Sequence, residues 1–120
     1  MLNENNIDDV IQSAIRAGLA AHEAATPTPM TVVYGDGQTT YHVPEGLCGF
    51  AWVTVYGIKG NTKLGKMLKT RGFRKSYTGG LQYWISTMTQ SVARKEAYAE
   101  AMAKVLCSHG ITAYADSRLD

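Results

Sequence analysis

Cys48-Gly49-Phe50-Ala51-Trp52-Val53-Thr54-Val55-Tyr56-Gly57-Ile58 alternates Phe50, Trp52, Thr54 and Tyr56 with Ala51, Val53 and Val55. Aromatic and β-branched residues at a period of two favour an extended strand, and here both faces are largely apolar. A strand apolar on both sides is expected at the centre of a sheet, with neighbours along both edges.

Upstream, Met30-Thr31-Val32-Val33-Tyr34 and Gln38-Thr39-Thr40-Tyr41-His42-Val43 flank Gly35-Asp36-Gly37, the composition of a β-hairpin, which Pro44, Glu45 and Gly46 close. Before it, Thr26-Pro27-Thr28-Pro29 reads as a short stiff linker, because each proline biases its predecessor to extended geometry. Residues 7–25 place Ile7, Val10, Ile11, Ala14, Ile15, Gly18, Leu19 and His22 at helical spacing, with Asn6 as cap and Asp8 and Asp9 in the first turn.

Downstream, Asn61 or Thr62 caps a second helix running to about Arg71, with Leu64, Met67 and Leu68 on one face and Lys63, Lys66 and Lys69 on the other. Gly72 offers a left-handed stop after which Phe73 folds back to the core. A hairpin over residues 74–77 and 81–86 turns at Gly79-Gly80. Residues 91–109 form a third helix, with Val92, Ala99, Met102, Ala103 and Leu106 inward and Gly110 as its stop. Ile111 to Ala115 reads as a short strand and Asp116 to Asp120 as a tail.

The order α-β-β-β-α-β-β-α-β predicts one α+β domain, a mostly antiparallel sheet of about five to six strands with helices mainly on one side. Within residues 1–120 the divisions are an N-terminal helix (1–25), a linker (26–29) and a sheet-and-helix core (30–120). At 120 residues, 45% of them hydrophobic, the chain suits a single core. No apolar run approaches the ~20 residues of a membrane span, and the polar N-terminus lacks the pattern of a secretory signal, so a cytoplasmic setting is expected. Cys48 and Cys107 are expected as free, buried thiols.

Charge is more telling than the net value of +2. Between Gly46 and Lys95 there is no Asp or Glu, while nine of the twelve basic residues fall there: Lys59, Lys63, Lys66, Lys69, Arg71, Arg74, Lys75, Arg94 and Lys95. Clustered cations attract polyanions and release their counterions, so a phosphate-bearing partner, nucleic acid above all, is expected. The competing explanation is a homodimer in which basic and acidic surfaces meet.

Three places could hold such a ligand. The first is the glycine-bearing loop before the second helix, Gly57, Gly60, Asn61, Thr62 and Lys63, which lacks the spacing of a P-loop. The second is the start of the last helix, where Gln90, Ser91, Arg94 and Lys95 occur together and the two cations, Arg94 and Lys95, sit at the positive end of the helix dipole. The third is the aromatic set Trp52, Tyr56, Tyr77, Tyr83 and Trp84, with Tyr83 expected outside for base stacking and Trp84 in the core. His22, His42 and His109 lie on separate elements, so neither a metal nor another cofactor is expected. Cys48 with His42 would be a conceivable nucleophile and base, but nothing in the composition lowers the pKa of the thiol, and a binder is expected in preference to an enzyme.

The runs Cys48 to Val53, Tyr77-Thr78-Gly79-Gly80, Lys95-Glu96-Ala97-Tyr98-Ala99 and Ser117-Arg118-Leu119-Asp120 resemble a group of small uncharacterised bacteriophage proteins, over roughly residues 46 to 120. The resemblance implies a viral accessory protein acting in the host cytoplasm. It carries over no catalytic residue and draws Arg118 into the recurring pattern. Within that frame the leading expectation is a non-enzymatic protein that binds nucleic acid, or a host complex bearing it. Sequestration of a small nucleotide immune signal and a role as a virion or assembly component are the alternatives.

Overall fold

The computed structural model describes residues 5–25, 30–33, 40–43, 47–86 and 91–119. Along them run α1 (Ile7–Ala24), β1 (Met30–Val33), β2 (Thr40–Val43), β3 (Gly49–Tyr56), α2 (Lys63–Thr70), β4 (Arg74–Lys75), β5 (Leu81–Trp84), α3 (Val92–Ser108) and β6 (Thr112–Leu119). The expected linker at 26–29, the first hairpin's turn at 35–37 and its closure at 44–46 lie outside the described residues.

β3 takes the central place that its two apolar faces demand. The main sheet has the order β4-β5-β3-β6, and every pairing in it is antiparallel. It has four strands and not the expected five to six, because β1 and β2 pair with each other as a separate two-stranded sheet. The α+β class, the antiparallel pairing and the packing of helices on one side agree with the expectation.

β6 is longer than the short strand read from the sequence and absorbs most of the expected tail. It pairs with β3 from Thr112 opposite Tyr56 to Leu119 opposite Gly49. By composition Asp116, Ser117 and Arg118 are poor strand formers. At the edge of a sheet with one open face, however, polar side chains cost nothing in burial while the backbone gains a full ladder.

The helices cover the side of the sheet that carries Ala51, Val53 and Val55. α3 packs on β3 and β6, α1 packs on α3, and α2 meets the flank of α1. These elements share one core that includes Ile7, Ile11, Leu68, Phe73, Leu81, Met102 and Leu106. α1 crosses α3 closely at Gly18, where a Cβ would fall 2.5 Å from the ring of Tyr98. Burial pushes the Tyr98 phenol well above its usual pKa, with the adjacent Tyr83 adding to the rise.

Both glycine stops act as the sequence implied. Gly72 and Gly110 have φ of 107° and 83°. After each, the chain doubles back: Phe73 N–H donates to the Leu68 carbonyl and Ile111 N–H to that of Leu106, each at 3.1 Å. This is the six-to-one bond that seats a following apolar residue in the core. Phe73 is accordingly 1% exposed.

Candidate anion cleft and aromatic sheet face

The β3–α2 loop is built by Thr62. Its hydroxyl donates to the Lys59 carbonyl at 2.6 Å and accepts from Gly65 N–H at 3.1 Å, so one side chain both ties the loop and caps α2. Gly65 permits the close approach, since a Cβ there would overlap the Lys59 carbonyl. Opposite the loop stands the β4–β5 turn, held by Ser76 N–H on the Gly80 carbonyl at 3.1 Å.

Between loop and turn lies a cleft of about 620 Å³ whose lining includes Lys59, Lys69 and Lys75 together with Gly60, Asn61 and Gly80. No carboxylate lines it among the described residues. Lys69 comes from the last turn of α2 and reaches back over Gly60, where a Cβ would sit 2.9 Å from its Nζ. Lys75 comes from the edge strand β4. Three lysines, from a loop, a helix and a strand, therefore line one concavity beside glycine backbone, which lets a ligand approach main-chain amides closely. Lys63 lines a smaller adjoining depression with Lys59 and Thr62. Lys66 is exposed on α2 and lines neither hollow.

The rest of the basic block is dispersed, and several expected site residues have other work. Arg71 donates through Nε to Asp8 at 3.0 Å, an ion pair in which Asp8 holds the guanidinium above its ordinary pKa. An N-terminal carboxylate thus offsets one cation of the patch. Arg94 reaches α1, where its Nη1 donates to the His22 carbonyl at 3.0 Å. A cation at that helix C-terminus is favourably placed against the dipole.

Ser91 and Lys95 are corrections to the expected site. Ser91 is buried, and its Oγ caps α3 by accepting from Arg94 N–H at 3.3 Å. Lys95 is 5% exposed, donates to the Gly49 carbonyl at 3.3 Å and lies 5.5 Å from the centre of the Phe50 ring. It falls on the same helical stripe as Val92, Ala99 and Met102, so it is buried inside the protein.

Tyr83 and Trp84 exchange the places expected of them. Leu81 opposes Val55 and Tyr83 opposes Val53, which puts both on the helix side, and Tyr83 packs against Phe73 with ring centres 5.2 Å apart. Trp84 opposes Trp52 on the open side and is 41% exposed. The parity set by Leu81 and Ile85, both buried, decides the matter in preference to the apolar area of the indole.

That open side is aromatic. Trp52 and Trp84 stack with centroids 4.5 Å apart and planes 24° from parallel, and Phe50 meets Trp84 edge-on at 6.2 Å. Tyr56 and Tyr114 form a second edge contact at 5.9 Å. The Arg118 guanidinium lies 5.3 Å from the Phe50 ring centre and 5.8 Å from that of Trp84. Arg74 is exposed and opposes Gln82, which places it on this face at the far edge. Phe50 and Tyr114 escaped the sequence reading as ligand residues, although the period of two in β3 and β6 carries the signal.

Cys48 and Cys107 are free, and both are exposed, contrary to the expected burial. Cys107 lies at the end of α3, where its Sγ donates to the Ala113 carbonyl at 3.3 Å. The side chain of His42 and the residue Gln90 lie outside the described residues. Among the described residues no group of three or more His, Cys, Asp or Glu could hold a metal, and no helix is long and apolar enough to cross a membrane. Comparison with protein-family models, with curated proteins and with solved structures gives no match to this chain.

Proposed function

We propose that this protein is a non-enzymatic binder of nucleic acid that seats the phosphate backbone in the cleft between the β3–α2 loop and the β4–β5 turn. The observation that carries the proposal is the convergence of Lys59, Lys69 and Lys75 on one concavity without a lining carboxylate. Lys63 and Lys66 extend the positive surface along α2. Contacts of this kind fix the backbone and read no base sequence.

If each cleft lysine neutralises one phosphate of a single strand, the logarithm of affinity falls with that of salt at a slope of about −2, or ~20-fold between ~50 and 200 mM. Fluorescence anisotropy with a labelled oligonucleotide measures this directly, and an affinity independent of salt would remove the proposal. A second reading, capture of a small nucleotide, is favoured by the cleft's volume, which lies within the ~300–1,000 Å³ usual for small-molecule sites. Calorimetry with mononucleotides and cyclic nucleotides against oligonucleotides separates the two, since the second requires the short ligands to bind as tightly as the long ones.

A further inference from the structure

We infer that the nucleic acid taken by this protein is single-stranded, and that its bases stack on the open aromatic face of the sheet. The inference rests on the proposed backbone seat in the lysine cleft and adds the chemical class of its ligand.

One side of the sheet is sealed by α3, whereas the other carries an indole pair, a phenyl ring and two phenols with no helix over them among the described residues. Tyr56, Trp84 and Tyr114 are 40%, 41% and 61% exposed. Such rings offer flat apolar surface with a polar rim, which suits a flat heteroaromatic partner better than an aliphatic one.

Charge and continuity then select the occupant. Arg118 lies over the rings from the β6 edge and Arg74 stands at the β4 edge, while Asp116, opposite Trp52, is the carboxylate on this face among the described residues. A stacking surface bordered by guanidinium groups at both edges matches a ligand with aromatic bases and anionic linkages. The platform also adjoins the cleft. Gly80 lines the cleft and packs against Tyr56, since a Cβ at Gly80 would lie 3.2 Å from the Tyr56 ring. A strand leaving the lysines around this turn meets Tyr56 first and then, about 13 Å further along β3, the Trp52–Trp84 pair. A duplex keeps its bases stacked on one another and could use only the cations; an unpaired strand can use both surfaces.

The test compares three probes by anisotropy at fixed salt: an oligothymidylate, a strand of equal length without bases, and the corresponding duplex. The oligothymidylate is expected to bind at least tenfold more tightly than the other two and to quench tryptophan emission. Trp84→Ala should remove most of that preference and leave the salt slope unchanged, and Tyr114→Ala, at the most exposed ring of the face, gives the same readout if the tryptophan variant folds poorly. Equal binding of all three probes, with a normal salt slope, overturns the stacking inference and leaves the cleft reading intact. Failure of every probe to bind overturns both. A dimer in sedimentation that Trp84→Ala converts to monomer would show instead that the face belongs to a second copy, and would likewise overturn the inference.

Discussion

Reversing the three cleft charges together, Lys59→Glu, Lys69→Glu and Lys75→Glu, is expected to weaken oligonucleotide binding by about three orders of magnitude or more. A hydrogen bond to a charged group contributes ~1.5–3 kcal/mol, so three lysine–phosphate contacts are worth about 4.5 kcal/mol at the lower end, some thousandfold in affinity. All three residues are exposed, and substitutions at such positions usually change stability by no more than ~0.5 kcal/mol. Circular dichroism should therefore show an unchanged melting profile beside the lost binding. The control is the same reversal at Arg94, whose bond to the His22 carbonyl ties α3 to α1. That variant is expected to lower stability and leave affinity nearly intact. A cleft variant that retains affinity within about threefold would contradict the assignment.

The largest effect on stability is expected at Phe73. Its ring is buried in the common core, in contact with Tyr83 of β5, directly after the glycine that ends α2. Truncation of such a residue, Phe73→Ala, costs about 3–5 kcal/mol. That is a large share of the ~5–15 kcal/mol that holds a domain of this size together. The consequence reaches the cleft, because Phe73 anchors the junction between Lys69 at the end of α2 and Lys75 on β4. Chemical denaturation should show the loss in full, and Tyr77→Ala, at a fully exposed ring on the neighbouring turn, should show almost none. A Phe73→Ala cost below ~1 kcal/mol would mean that this junction is not the keystone of the packing described here.

Much of this architecture was legible in the residues, for reasons that can be named. The two apolar faces of β3 predicted its central position, and Gly72 and Gly110 predicted both helix ends, because these signals are local and nothing elsewhere competes with them. The length of β6 was hidden. Asp116 and Arg118 break the apolar composition of a strand, yet an edge position with one open face tolerates them. That β1 and β2 stay apart from the main sheet is a matter of long-range pairing, which no local pattern encodes.

The site divides in the same way. The acid-free basic block is a sequence fact, but charge along a chain does not say which cations share a surface. Lys59, Lys69 and Lys75 meet because a loop, a helix end and an edge strand converge, while Arg71 is claimed by Asp8 from a distant helix. Two misplacements were avoidable. Lys95 shares the helical stripe of Val92, Ala99 and Met102, and Trp84 has the parity of Gln82 and Ser86 against buried Leu81 and Ile85. In both cases periodicity outweighed the chemical character of the single residue.

The seat of the phosphate backbone is tested most directly by following backbone amide resonances as an oligothymidylate is added. The proposed function predicts saturable shifts centred on Gly57, Gly60, Asn61, Gly79 and Gly80, which surround the three lysines. Shifts centred instead on Ser91, Arg94 and Lys95 at the start of α3, or none that saturate, would contradict it.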